Sequence, residues 1–168
     1  MKFVQETGAI IANDGGLISM FDGEPGHVDF PDQMIAQLHK LQPGYIQRFT
    51  HTHPPGMPKP SGQDNSMMSN LAMVVYPFPV RLGIIVPQSW VLAKREGEFV
   101  ENVYQWVFEP REVWQARKMI HNDTKRAIVY EKVDSTIFTY SDGILSKKHQ
   151  PHISSWQDWI IERSYSWQ

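Results

Sequence analysis

The sequence predicts a mixed α/β (α+β) fold in which a central mixed β-sheet is flanked by helices. Strand-like segments, in which apolar and polar residues alternate, are interleaved with segments whose apolar residues recur at helical spacing. The chain has 168 residues, of which 41% are hydrophobic and 20% charged, which is the balance of an ordinary globular protein. We therefore expect one domain over residues 1–168.

The chain begins with a predicted β-hairpin. Lys2 to Ala12 alternates along its length, as expected for a strand with two different faces, and Glu6 lies on one of them. Asn13-Asp14-Gly15-Gly16 predicts a turn, and Leu17 to Phe21 predicts the returning strand.

Two predicted helices enclose the next strand. The first follows Pro31 and ends before Pro43-Gly44, and its apolar positions are Met34, Leu38 and Leu41. Tyr45 to Thr50 predicts the strand, which presents His51 and His53 at its end. The second helix is Gln63 to Val75, with one apolar side formed by Met67, Leu71 and Val74.

The second half of the chain predicts further strands and two more helices. The strands are Val80 to Val86, Trp90 to Lys94, Phe99 to Phe108, Arg126 to Val133 and Thr136 to Tyr140, with a hairpin turn at Glu96-Gly97. The helices are Pro110 to Ile120 and a last helix that runs from the capping pair Ser155 and Asp158 through Arg163.

The composition excludes several kinds of partner and site. The formal net charge is -2 and the Lys and Arg residues are scattered, so we expect no nucleic-acid partner. No apolar run of about 18 residues is present and the N-terminus does not resemble a signal peptide, so we expect no membrane partner and a cytoplasmic location. The chain has no cysteine, so a metal site must use histidines and carboxylates.

The segment from His51 to Asp64 is the most informative part of the sequence. His51 and His53 are two residues apart on a predicted strand, so both imidazoles point to the same side and can reach one metal ion. Asp64, in the first turn of the next helix, can supply a third ligand when the Pro-rich loop folds back. Three protein ligands with a fourth position open to water form a catalytic zinc site. We therefore predict a Zn²⁺ site at His51, His53 and Asp64.

Two histidines at this spacing also have other interpretations. A metallo-β-lactamase-like site requires Asp-His just after the second histidine, where this chain has Pro55 and Gly56. Amidohydrolase-like barrels require a much longer chain. In a further alternative the histidines form local hydrogen bonds at a strand end, and Ser61 and Asp64 are an ordinary helix N-terminus.

These residues resemble the JAMM motif of the MPN domain family. That motif has a distant Glu, then His-x-His-Pro, and then Ser-x-x-Asp after seven residues counted from the second His; every fixed position from His51 to Asp64 is present. The order of elements over about residues 3–95 is also similar to the family's core, whereas the chain from about Gly97 has no match. The resemblance implies an MPN/JAB-like fold with a cytidine-deaminase-like core.

The resemblance also implies a role for each residue. Zinc would lower the pKa of its water, a glutamate would take the proton, and Ser61 would donate a hydrogen bond to the oxyanion. Glu6 and Glu24 compete to be that glutamate. We favour Glu6, because a strand positions side chains well and Glu24 lies in a turn-like segment. Gly8 follows Glu6 after one residue rather than the family's two, and helix capping stays open as the role of Ser61.

By this resemblance the chain is expected to be a zinc metallohydrolase, a JAMM-type peptidase or isopeptidase. Its expected partner is a ubiquitin-like or sulfur-carrier protein, cleaved at a peptide or isopeptide bond at the C-terminus. Two alternatives remain open. One is an MPN-type scaffold that binds partners without catalysis, which the three ligands disfavour. The other is a zinc hydrolase that acts on a small amide.

Overall fold

The structure, a computed structural model, describes residues 2–3, 6–23, 32–91, 94, 96–110, 126–141, 144–148 and 155–166. The described residues form a mixed α+β fold with nine strands and three helices. In chain order the elements are β1 (Lys2–Phe3), β2 (Thr7–Ala12), β3 (Leu17–Asp22), α1 (Asp32–Leu41), β4 (Ile46–Thr52), α2 (Gly62–Val74), β5 (Val80–Val91), β6 (Glu96–Pro110), β7 (Arg126–Ser141), β8 (Ile144–Lys147), α3 (Ser155–Ser164) and β9 (Tyr165–Ser166).

Seven of the strands form one mixed sheet in the order β3-β2-β4-β5-β6-β7-β8. β4 and β5 are parallel because α2 connects the end of one to the start of the other. The other neighbouring pairs are antiparallel. β1 and β9 form a separate two-stranded sheet, which joins the beginning of the described chain to its end.

Apolar side chains cover both faces of the sheet. One buried cluster contains Ile10, Phe49 and Leu82 from the sheet together with residues of α1 and α2. The other contains Ile11 and Ile85 from the sheet together with residues of α3. Neighbouring residues of a strand point to opposite faces. His51 therefore lies on the same face as Phe49, toward α1 and α2.

The helices confirm most of the predicted pattern. α1, α2 and α3 lie where the sequence predicts them, within one or two residues at each end. The predicted apolar side of α2 is displaced, however, because the buried residues are Asp64, Met68, Leu71 and Ala72, while Val74 is 57% exposed. Among the described residues, no helix is long and apolar enough to cross a membrane.

The first predicted strand is shorter than expected. Of the described residues in this segment, Thr7–Ala12 lie in the large sheet, while Lys2–Phe3 pair with Tyr165–Ser166. Glu6 lies directly before β2, so the prediction that Glu6 is in a strand is wrong. The physical reason is that the chain leaves one sheet and enters another in this segment. The predicted hairpin of this strand with Leu17 to Phe21 is confirmed.

The predicted hairpin of the segment at Trp90 with the strand that contains Phe99 is confirmed, but the prediction that its turn lies at Glu96-Gly97 is wrong. β5 continues to Val91, and Glu96 and Gly97 pair with Val91 and Trp90. On their other side the same two residues pair with β7. Pairing with a strand on each side keeps Gly97 extended despite its weak strand preference.

The late part of the sheet contains one long strand where two were predicted. A β-bulge at Val133 keeps β7 continuous. Val103 pairs with Asp134 and Tyr104 pairs with Lys132, so Val133 is one extra residue in β7. Pro110 ends β6 instead of beginning a helix, and residues 111–120 of that predicted helix lie outside the described residues. β8 was not predicted.

Candidate metal centre

β4 delivers the two histidines to one end of the sheet. His51 pairs with Gly8 of β2 and Ile84 of β5, so its backbone is held on both sides. His53 follows directly after β4, and its backbone N–H donates to the carbonyl of Ile85 at 2.9 Å. Both histidines are buried, and their ring centroids are 4.6 Å apart. The strand therefore ends in two closely spaced imidazoles.

Asp64 reaches these imidazoles from the first turn of α2. The Ser61 hydroxyl oxygen accepts a hydrogen bond from the backbone N–H of Asp64 at 3.1 Å. In return, the Asp64 carboxylate accepts one from the backbone N–H of Ser61 at 2.9 Å, which completes a capping box. The cap thus fixes Asp64 Oδ2, which lies 3.4 Å from His51 Nε2 and 3.1 Å from His53 Nε2.

The three side chains have the separations that a metal ion requires. Ligand atoms about 2.0 to 2.2 Å from a tetrahedral zinc ion are roughly 3.4 Å from one another. The ligand atoms of His51, His53 and Asp64 all lie within 4.8 Å of one another, and the two contacts to Asp64 are 3.4 and 3.1 Å. Two imidazole nitrogens and one carboxylate oxygen are a donor set that suits zinc. The buried triad can therefore hold a metal ion.

The charges around the triad favour a cation. Burial acts to lower the pKa of His51, but the carboxylates of Asp64 and Glu6, 3.4 and 3.6 Å from its two ring nitrogens, raise that pKa to about 9. Burial acts to raise the pKa of Asp64, but hydrogen bonds with His51 and His53 hold it well below its usual range. In the metal-free protein, a proton on His51 thus supplies the positive charge that the two carboxylates stabilise.

A second hydrogen bond orients the ring of His53. Its Nδ1 lies 3.0 Å from the carbonyl oxygen of Met57. A carbonyl can only accept, so Nδ1 donates to it, and Nε2 is the ring nitrogen that faces Asp64 and would bind a metal ion. The loop that provides this carbonyl is itself held, because the Tyr104 hydroxyl donates to the carbonyl of Pro58 at 3.0 Å.

The structure also brings Glu6 to the triad, from a different direction. Glu6 is 5% exposed, and its Oε2 lies 3.6 Å from His51 Nδ1. Asp64 approaches the other ring nitrogen, Nε2, at 3.4 Å. Glu6 is therefore adjacent to His51, on the side of the ring that faces away from Asp64. Glu24, the competing glutamate, lies outside the described residues.

Ser61 lies beside the triad as the N-cap of α2. Its hydroxyl oxygen is occupied as the acceptor of the Asp64 N–H. A serine hydroxyl has one hydrogen to donate in addition to its acceptor lone pairs. The capping role predicted as an alternative is present, and it leaves that hydrogen available for a second partner.

Residues at the end of the described chain support the triad, and the sequence alone did not predict this support. The Tyr165 hydroxyl donates to the main-chain carbonyl of His53 at 2.5 Å. The Thr52 hydroxyl donates to the Ser164 hydroxyl at 2.7 Å and accepts from the backbone N–H of Thr7 at 3.1 Å. These residues carry no motif. The one signal in the sequence is that a tyrosine, when buried, needs a partner for its hydroxyl.

Comparison of the chain with protein-family models, with curated proteins and with solved structures found no match.

Proposed function

We propose that this protein is a zinc-dependent hydrolase of the JAMM/MPN type that cleaves a peptide or isopeptide bond. The observation that carries the proposal is the buried triad of His51, His53 and Asp64, whose ligand atoms lie within 4.8 Å of one another. Structural zinc sites use four protein ligands, whereas catalytic sites use three and keep one position open. A triad of this composition is therefore better suited to chemistry than to stabilising the fold.

Zinc, when bound, supplies a Lewis acid that lowers the pKa of water and polarises a carbonyl group. The chain's own residues supply the remaining steps. We assign Glu6 to take a proton from the attacking water and to return it to the leaving amine. We assign the Ser61 hydroxyl to donate its hydrogen to the oxyanion that develops on the substrate carbonyl. The capping box leaves that hydrogen free for this use.

We propose a ubiquitin-like or sulfur-carrier protein as the substrate, cleaved at its C-terminus. This part of the proposal depends on the resemblance of the motif to the JAMM pattern. Support comes from the order of strand, loop, capped helix and parallel strand that carries the ligands, namely β4, residues 53–61, α2 and β5. An MPN/JAB-like core with its cytidine-deaminase-like arrangement belongs to the same proposal.

Metal content is the first test. Purified protein should bind about one zinc ion per chain, and His51→Ala, His53→Ala and Asp64→Ala should each abolish this binding, because each removes one of three ligands. His39→Ala is the matched control. His39 lies on α1 and packs edge to face against Phe78, with ring centroids 5.3 Å apart, so its loss should leave zinc content unchanged.

Cleavage is the second test. The zinc-loaded protein is incubated with a fusion that carries a peptide on the C-terminus of a ubiquitin-like protein, and the triad variants serve as negative controls. Folded protein that takes up no zinc contradicts the metal site. Protein that binds zinc but cleaves only small amides contradicts the substrate class, and zinc binding without any cleavage favours the scaffold alternative.

A further inference from the structure

We propose that Tyr165 is a positioning residue for the metal centre: its hydroxyl fixes the main chain at His53 and thereby holds that ligand in place for zinc. The inference rests on the proposed function, because it gives Tyr165 a role only if the triad binds zinc. It also assigns a function to the C-terminal part of the chain, which the resemblance to the JAMM motif and its core does not cover.

The first step of the argument is the contact itself. The Tyr165 hydroxyl lies 2.5 Å from the carbonyl oxygen of His53 and 3.3 Å from that of Ile85. The backbone N–H of His53 donates to the same Ile85 carbonyl at 2.9 Å. Tyr165 therefore joins the two strands, β4 and β5, at the position where the ligand leaves the sheet.

The second step is that His53 needs an anchor there. His53 is the last buried residue before the loop, in which Pro55 to Lys59 are exposed. His51, in contrast, is held by pairing with β2 and β5 on both sides. Ligand positions in metal sites are fixed to within about 0.2 Å. Hydrogen bonds at the strand end and to the loop are what hold His53 to such a tolerance.

The third step is that Tyr165 is itself rigid. Its side chain is 1% exposed, and its ring packs against Phe99 with centroids 5.7 Å apart. Its backbone pairs with Phe3 of β1, and the preceding residue, Ser164, accepts a hydrogen bond from Thr52 of β4. A hydroxyl on such a support can hold its acceptor in one position, which a side chain on a mobile surface could not do.

The experiment compares Tyr165→Phe with Tyr140→Phe. Tyr140 is equally buried and lies in the same apolar cluster, but its hydroxyl bonds to Glu162 of α3 rather than to a ligand residue. Zinc affinity is measured by competition with a chromophoric chelator, and ligand geometry is followed by the visible spectrum of the cobalt(II)-loaded protein. Thermal unfolding of the metal-free variants reports the purely structural effect of each lost hydroxyl.

We expect Tyr165→Phe to weaken zinc binding by roughly tenfold or more, as for other residues that orient a ligand, and to change the cobalt(II) spectrum. Tyr140→Phe should lower the unfolding temperature while leaving zinc affinity and spectrum unchanged. If Tyr165→Phe binds zinc as the parent does, and differs only in unfolding temperature, the positioning role is overturned and the proposed function stands. If the folded parent binds neither zinc nor cobalt(II), both proposals fail together.

Discussion

Glu6 Oε2 lies 3.6 Å from His51 Nδ1, so this buried carboxylate approaches the ring nitrogen that faces away from Asp64. From that side of the ring Glu6 can orient His51, as many carboxylates do behind metal-binding histidines, whereas the proton-accepting role that we propose requires the attacking water to reach the Nδ1 side of His51. Replacing Glu6 with glutamine removes its charge and keeps the shape of the side chain, and the two roles then predict different zinc contents and turnover.

Glu6→Gln should retain zinc and lose most of its turnover, because glutamine keeps the shape of the side chain but cannot accept the proton. Zinc per chain and kcat are measured for the parent, for Glu6→Gln and for Glu24→Gln. Glu24→Gln should leave kcat within a few-fold of the parent, since the sequence predicts a turn at Glu24 and a charge in a solvated turn contributes little. Weaker zinc binding by Glu6→Gln would instead assign Glu6 to the orientation of His51. Loss of turnover in Glu24→Gln alone would reverse our choice of glutamate.

Ser61→Ala should lower kcat by roughly 100-fold, the effect of removing one oxyanion donor. It should also reduce the free energy of unfolding by about 1 kcal/mol, because the capping box of α2 is lost. Ser61→Gly separates the two effects, since glycine is a tolerated N-cap but has no hydroxyl. Steady-state kinetics and urea unfolding of both variants give the answer. A Ser61→Gly variant with the parent's kcat would restrict Ser61 to capping.

Zinc affinity should rise with pH because zinc must displace the proton of His51, whose pKa in the metal-free protein is raised to about 9. At pH values below that pKa, competition by this one proton makes the apparent zinc affinity fall about tenfold for each unit that the pH decreases. Asp64 is already ionised, since its pKa is lowered, so it adds no dependence near neutral pH. Chelator competition at several pH values above neutrality measures the slope, and a flat profile over that range would contradict the assignment.

The raised pKa of His51 predicts the opposite pH trend for the stability of the metal-free protein. A raised folded pKa contributes stability that is complete below the ordinary value, 6.5, and is lost as the pH rises through about 9. Urea midpoints of the metal-free protein should therefore fall over this interval, whereas His51→Asn should remove that part of the fall. Opposite pH trends in zinc affinity and in metal-free stability would show that one proton controls both properties.

The grouping of His51, His53 and Asp64, which can hold a metal ion, could be predicted from the sequence because the features that position each residue are local. His51 and His53 share a strand face by the period of a strand, and Asp64 is placed by a capping box whose partner, Ser61, is three residues away. Spacing alone determines such contacts. The same reasoning placed Val74 on the wrong side of α2, since a weakly amphipathic helix does not fix its own buried side.

The support around the ligands could not be predicted because it depends on distant parts of the chain. The Tyr165 hydroxyl and the His53 carbonyl are separated by 112 residues. Glu6 reaches His51 only because β2 pairs with β4, which the alternation of either strand does not reveal. Pairing partners and register are properties of the whole sheet. They also explain why the predicted turn at Glu96-Gly97 became part of a strand.

A buried ion pair in the sheet depends on one glycine. The Glu101 carboxylate accepts hydrogen bonds from Arg48 at 2.9 and 3.0 Å and from the Thr50 hydroxyl at 2.8 Å. Gly83 of β5 lies beneath this carboxylate, and a Cβ added there would be 2.0 Å from Glu101 Oε2. Because Arg48 and Thr50 hold the carboxylate, it cannot move aside without breaking bonds to a buried charge.

Gly83→Ala should therefore reduce the free energy of unfolding by about 2 to 4 kcal/mol, which combines the cost of overpacking with damage to a buried ion pair. Urea unfolding of the metal-free protein measures the change. Gly62→Ala is the control, because a Cβ at Gly62 meets nothing within 4 Å and alanine favours the helix. Zinc affinity should change little in Gly83→Ala, since the strain falls on Glu101 rather than on the triad. A Gly83→Ala protein as stable as the parent would mean that Glu101 relaxes freely, and that its bonds to Arg48 and Thr50 contribute little to the fold.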